Sequence, residues 1–350
     1  MSDAEPKSEV VHSFKGFDKD LKCKGFQFAL GETYEHSGAV VACKSGFRAC
    51  EYPLDVLRYH PPATSRYAEV VQSGAIERHD TDSEIASATI TIGVELRFYE
   101  LIQRAVKWVF DRAKLESGSS ATGYCGAASA RGDRGAASAT GYCGAASATG
   151  YCGAASATGD RGAASATGYY SAASATGYYS AASATGDRGA ASATSYCGAA
   201  SATGYYSAAS ATGYYGAASA TGDYSAVSAT GYCGAASATG ARGAASATGA
   251  RGAASATGYY SAASATGYCG AASATGYCGA ASATGDYSAV MSSGRLGRVK
   301  GANGCALFLV RRDDEWKITH AWAGIVGHDG IKPDTFYTLD DNGLPRECDD

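Results

Sequence analysis

A chain of 350 residues with 29 Lys and Arg against 33 Asp and Glu carries a formal net charge of −4, and it lacks the basic footprint that nucleic-acid binding requires. No apolar run reaches the roughly 18 residues of a membrane span, and residues 1–10 are acidic and polar, with no apolar core of a secretory signal. The default expectation is a cytoplasmic protein, with release by lysis or a specialised export route left open.

Residues 1–12 read as a flexible N-terminus and residues 13–117 as an α+β capping domain. In the first sixty residues, Gly, Asp and Pro mark turns between short strands, such as 25–30 and 39–43. Residues 52–59 (YPLDVLRY) look like a helix started by Pro53. Residues 67–74 are expected as a short helix and 87–93 (SATITIG) as a strand. Residues 94–115 read as an amphipathic helix, with Phe98, Leu101, Ile102, Ala105 and Val109 on one stripe. Its expected role is to cover the first coil of the repeat tract beside it.

Nineteen near-identical nine-residue units then fill residues 118–288. Such a short fixed period signals a stacked solenoid rather than a globular core. The unit is Ala-Ala-Ser-Ala-Thr-Gly, then a variable pair, then Gly or Ser. The sixth position is Gly in every copy except the one with Ser195. A short strand followed by a tight corner is implied. Side chains alternate along a strand, so the ninth, second and fourth positions share one face and the first, third and fifth the other. The second changes to apolar Val227 and the fourth is always Ala, whereas the fifth admits Arg131. The ninth, second and fourth positions are therefore expected inside.

Nine residues are too few for a coil with two faces. Two units, or 18 residues, should make one coil of a flattened parallel β-solenoid, giving about nine coils and roughly 45 Å at about 4.8 Å each. A 27-residue coil is the alternative, because the pairs Asp133/Arg134, Asp160/Arg161 and Asp187/Arg188 recur at that spacing. Under the first scheme Cys125 stacks on Cys143, and under the second on Cys152. The variable pair carries seven cysteines at its second place, shared with Tyr and Arg, which marks exposed thiols rather than metal ligands, with occasional bridges between coils.

Stacking turns each position into a column. Tyr142, Tyr151, Tyr169, Tyr170, Tyr178, Tyr179, Tyr205, Tyr206, Tyr214, Tyr215, Tyr259 and Tyr260 should line the edges, roofing the corners or forming a self-association surface. Asp-Arg and Ala-Arg turns interrupt them and limit such association. Thr140, Thr149, Thr158, Thr167, Thr176 and Thr185 point outward at the fifth position and are candidate ice-facing residues. Residues 289–350 read as a degenerate repeat and a small β cap, with a hairpin from 305–312 and 316–323 and a core of Trp316, Trp322 and Phe336.

The flanks carry a resemblance. Lys15-Gly16-Phe17-Asp18, the stretch 46–56 (GFRACEYPLDV) and 330–335 (GIKPDT) with Tyr337 are similar to the ends of an uncharacterised family of phage and bacterial hypothetical proteins. That family has variable numbers of short Ala/Ser/Thr/Gly repeats between similar caps, which implies the same layout here and supplies no activity. Relatives carry His where Arg48 stands, which argues against a catalytic role at that position. The repeats alone resemble those of bacterial ice-nucleation proteins and the β-rolls of trimeric adhesin heads.

Recognised chemistry is sparse. None of the six histidines stands at zinc-ligand spacing to Cys or carboxylate. Glu77, His79, Asp80, Asp82 and Glu84 read as a solvated loop. No phosphate-cradling loop or nucleophile elbow occurs. We therefore expect no catalytic residues, no metal, no cofactor and no small-molecule ligand. The expected partner is another copy of the chain, in an oligomer or filament. The expected function is non-enzymatic and self-assembling, with ice binding as the first alternative. An enzyme or effector within residues 13–90, with the solenoid as spacer, is the second, and residues 47–51 with Tyr59 and His60 are the first place to look for it.

Overall fold

The computed structural model describes residues 9–42, 44–60, 65–78, 83–112 and 119–349. The chain divides into two compact units, residues 1–108 and 109–350. His79, Asp80 and Asp82 of the expected polar loop lie outside the described residues, as does the end of the expected helix beyond Arg112.

In the N-terminal unit, β1 (Val11–Phe17), β5 (Phe47–Cys50), β6 (Arg66–Arg78) and β7 (Glu84–Leu96) close on one another, all antiparallel. Between β1 and β5 lie the short pair β2 (Lys22–Cys23) and β3 (Phe26–Gln27), then β4 (Thr33–Glu35), which adds to β7. Phe17, Phe28, Ala49, Ala68, Val70, Ile90 and Ile92 fill the interior. The buried amide of Gln72 accepts from Ser13 Oγ at 2.6 Å and donates to the Phe47 carbonyl at 2.9 Å. Its pairing removes the penalty that a lone buried amide would incur.

Three local expectations change. Residues 67–74 are strand, not helix, because they pair across β7 and β1 in the long, twice-bulged β6 ladder. A short Ala-Glu-Val-Val run fits either period, and pairing decides it. The amphipathic helix begins later than expected: α1 spans Phe98–Arg112, because Glu95 and Leu96 still pair with Ala68 and Tyr67. Its start is fixed where Glu100 Oε2 accepts the Arg97 N–H at 2.6 Å, the reciprocal half of a capping box. Leu101, Ile102, Ala105 and Val109 of the expected stripe are buried. Trp108 meets Tyr52 edge-on at 5.0 Å. Residues 39–42 of the expected strand do not form one; Val41 and Ser45 make only an isolated bridge. Pro53 does start a helix, a 3-10 turn over Pro53–Arg58.

The second unit is a parallel β-solenoid of about 11 turns over residues 119–309. Register fixes the coil at 18 residues: Ala136 pairs with Ala154 and Thr140 with Thr158, while Ala145 pairs with Ala163 on the other sheet. Successive units thus alternate between two parallel sheets. Ala146 and Ala148 are buried while Ala145, Ser147 and Thr149 are exposed, so the interior is alanine with the ninth-position Gly or Ser. A serine in that place reaches across the interior: Ser171 Oγ donates to the Thr185 carbonyl at 3.1 Å and Ser207 Oγ to that of Thr221 at 3.3 Å.

Winding continues past the repeats, which is why the turns exceed the nine expected from the units alone. Ala280 pairs with Arg298, and Ala289 with Ala306, one residue short of the usual step. Here the alanine interior gives way to Val290, Val299, Leu307 and Leu309. The strand Ala306–Arg312 then turns back antiparallel to Ile318–Ile325, and Phe336–Leu339 pairs with Pro345–Cys348. This end is plugged by Leu307, Leu309, Val326, Ile331, Tyr337 and Leu339 rather than by the three expected aromatics. Trp316 sits exposed in the hairpin turn at φ +67°. Trp322 only packs against the plug, and Phe336 lies under Arg298 and Lys300.

Candidate functional site

Each coil has two corners, so the variable pairs form two separate edges. On one edge the seventh-position residues 18 apart begin with Tyr124 and Tyr142, whose rings stack at 5.0 Å and 6°. After Asp160 comes a run of four: Tyr178, Tyr196, Tyr214 and Tyr232, with centroids 4.9, 5.2 and 5.0 Å apart and planes within 14°. Tyr179 and Tyr215 meet this run edge-on. On the other edge Tyr151 stacks on Tyr169 at 5.4 Å and Tyr259 on Tyr277 at 4.7 Å. Tyr170 and Tyr260 stand perpendicular to these pairs. Tyr205 meets Tyr206 edge-on at 4.6 Å, and both contact Tyr224. Parallel strand spacing of about 4.8 Å favours this geometry, since identical side chains in register must keep one rotamer to avoid the next ring.

All twelve tyrosines singled out from sequence therefore lie on the edges, five on the first and seven on the second. Tyr124, Tyr196, Tyr232 and Tyr277 belong to the same stacks and were missed, although the 18-residue step identifies them. A second feature was missed too. Every stack of two or more rings ends under an arginine from the next coil: Arg161 over Tyr142 at 5.8 Å, Arg251 over Tyr232 at 5.9 Å, Arg188 over Tyr169 at 5.0 Å and Arg295 over Tyr277 at 5.7 Å. A guanidinium on the last ring is a favourable cation–π contact, worth about 0.5–1 kcal/mol at an exposed site. It also occupies the face on which a further ring would stack.

The six threonines do not form one array. Thr140, Thr158 and Thr176 stand on one sheet and Thr149, Thr167 and Thr185 on the other, all exposed. Some hydroxyls in these columns bond to each other, as Thr275 Oγ1 does to Thr257 Oγ1 at 3.1 Å. On the second sheet the first- and third-position Ala and Ser columns border a shallow trough of about 1410 Å³, running from Ala127 to Met291 and Phe308.

The N-terminal unit brings together a different set. Lys15 Nζ, on β1, donates to the Arg48 carbonyl of β5 at 2.8 Å and lies 3.8 Å from Cys23 Sγ. Cys23 Sγ is also 3.8 Å from His60 Nε2. The Lys15 ammonium faces the Phe28 ring at 5.2 Å and the Phe17 ring at 5.7 Å. Burial holds the Lys15 amine below its ordinary range. Burial first and the Lys15 charge second push His60 down to about 4. Gly16 makes the approach possible, because a Cβ there would lie 2.5 Å from the imidazole. Arg48 pairs with the buried carboxylate of Glu84 at 3.4 Å. Of the stretch flagged from sequence, Arg48 and His60 thus border this cluster, Cys50 is buried, and Tyr59 is exposed. Lys15 and Cys23 were not flagged; their separation in sequence from His60 hid them. A thiol between an amine and a neutral imidazole is a set of groups suited to moving a proton on or off sulfur. Among the described residues no three His, Cys, Asp or Glu side chains gather as a metal site.

The architecture defines a β-solenoid protein with a small α+β N-terminal region. Within it, residues 11–104 match a family model described as a domain of unknown function (DUF7666). That similarity covers the closed sheet and the first half of α1, and stops before the repeats. No curated protein and no solved structure matches the chain. Among the described residues no helix is long and apolar enough to cross a membrane.

Proposed function

We propose that this chain is a rigid structural element, without a reaction of its own, that joins to further copies through its tyrosine edges. The observation that carries the reading is the exposed run Tyr178–Tyr196–Tyr214–Tyr232 with its flanking Tyr179 and Tyr215. Rings held rigidly by the backbone lose little side-chain entropy when they dock, which is why Tyr is favoured at interfaces. Arginine at the end of each stack confines the aromatic surface to short patches, so contact is local rather than continuous.

Light scattering after gel filtration, with negative-stain microscopy, tests this. We expect dimers or filaments at micromolar concentration and a shift to monomer in Tyr196→Ser/Tyr214→Ser. A wild-type chain that stays monomeric at every concentration overturns the proposal.

Ice binding is the second reading. It is supported by the parallel sheets on which Ser and Thr repeat in register every coil. Hydroxyls bonded to one another along the Thr column weigh against it, since those groups already have partners. Thermal hysteresis at high protein concentration decides; a freezing point equal to the melting point removes the reading.

A further inference from the structure

The eighth-position cysteines are distributed over both edges, and the 18-residue register sorts them. Cys125 and Cys143 fall one above the other on adjacent coils of the same edge. The Cys143 N–H donates to the Tyr124 carbonyl at 2.8 Å, which fixes the two corners in register. Each of the other five repeat cysteines has Tyr, Arg or Leu one coil away on either side, as Cys197 does between Tyr179 and Tyr215.

All seven repeat cysteines are unbridged. Directly stacked residues on parallel strands are about 4.8 Å apart, inside the Cα separation of about 4.4–6.8 Å that a disulfide accepts. Cys125 is exposed and Cys143 partly so, so a small oxidant reaches both. The pair sits in the first two corners of its edge, beside the strand Ser119–Thr122, which pairs with Ala136–Thr140. That strand is the first of its sheet, and an end strand is where a stacked array opens most easily.

We propose that Cys125 and Cys143 form a redox clasp that closes the first coil onto the second. The oxidant is a small disulfide such as oxidised glutathione. One cysteine thiolate attacks its S–S bond, forms a mixed disulfide and releases one glutathione thiolate. The other cysteine thiolate then attacks the protein sulfur of that mixed disulfide and releases the second. Two electrons pass from the cysteine pair to the glutathione disulfide, and the two protons leave with the thiols that form. The reverse exchange opens the clasp. The five unpaired cysteines can carry a mixed disulfide but have no neighbour to resolve it.

Full-length protein equilibrated across ratios of oxidised to reduced glutathione, then alkylated and digested with trypsin, tests the assignment. The expected product joins peptide 115–131 to peptide 135–161 within one chain. It should persist in Cys152→Ser and vanish in Cys143→Ser. Amide exchange at residues 119–122 should slow several-fold on oxidation. The proposal is overturned if Cys125 and Cys143 both remain alkylated at oxidising ratios, if the link runs to Cys152, or if it joins two chains. It is overturned equally if the bridge forms and exchange in the first coil does not change.

Discussion

In the N-terminal unit Phe17, Phe28, Ile90 and Ile92 fill one irregular centre, whereas in the solenoid the same task falls to alanine after alanine, coil upon coil. Large side chains bury about 1.5–3 kcal/mol each and tolerate a curved sheet with bulges. Alanine contributes far less per residue, so the solenoid depends on unbroken strand pairing and on the absence of anything larger. The first unit is therefore sensitive to chemistry at single buried groups, and the second to backbone geometry at its corners.

The sharpest way to break that contrast is at a corner glycine. Gly249 has φ +148°, and a Cβ there would lie 1.5 Å from the Gly231 carbonyl oxygen one coil below. Gly249→Val should cost about 3 kcal/mol or more, read as a lower urea midpoint and as faster amide exchange over the neighbouring coils. A loss below about 1 kcal/mol would mean that the corners yield and the solenoid is as forgiving as the closed sheet.

Next in size is the acid response of the N-terminal unit. His60 is held at about 4 against an ordinary 6.5, so the unfolded chain takes up the proton first. Stability should be intact above about pH 6.5 and fall as pH drops toward 4, by up to about 3 kcal/mol. Amide exchange of β1 and β6 against pH measures it. His60→Gln should flatten the slope, and an unchanged slope would place its origin elsewhere.

The smallest expected effect has the opposite sign. Ser195 replaces the corner glycine, and its buried Oγ has no hydrogen-bond partner. The strand Arg188–Thr203 runs through this corner, as Tyr170–Thr185 does through Gly177. Ser195→Gly should remove the orphaned hydroxyl and stabilise the solenoid by about 1 kcal/mol, visible as a small rise in Tm.

The repeat made the solenoid legible because alternation and invariance fall on the same residues. Position four never varies and position five admits Arg131, and burial agrees with both. The 18-residue coil was open to a 27-residue rival until pairing of Ala136 with Ala154 decided it. The arginine over each stack could not be seen before that, because Tyr232 and Arg251 are neighbours only once the coil length is known. The closed sheet was far less legible. Its long strands bend and pair with partners distant in sequence, as Val11 does with Gln72, so local pattern alone read 67–74 as helix. The Lys15–Cys23–His60 cluster was hidden for the same reason.

A coil made of two units gives the tract a parity. Gain or loss of a single nonapeptide reverses the side on which everything downstream is presented, so each later tyrosine moves to the opposite flank of the molecule. Loss or gain of two leaves both flanks as they were and alters only height. Variation in this repeat tract thus acts as a switch of handed display when the step is odd and as a ruler when it is even.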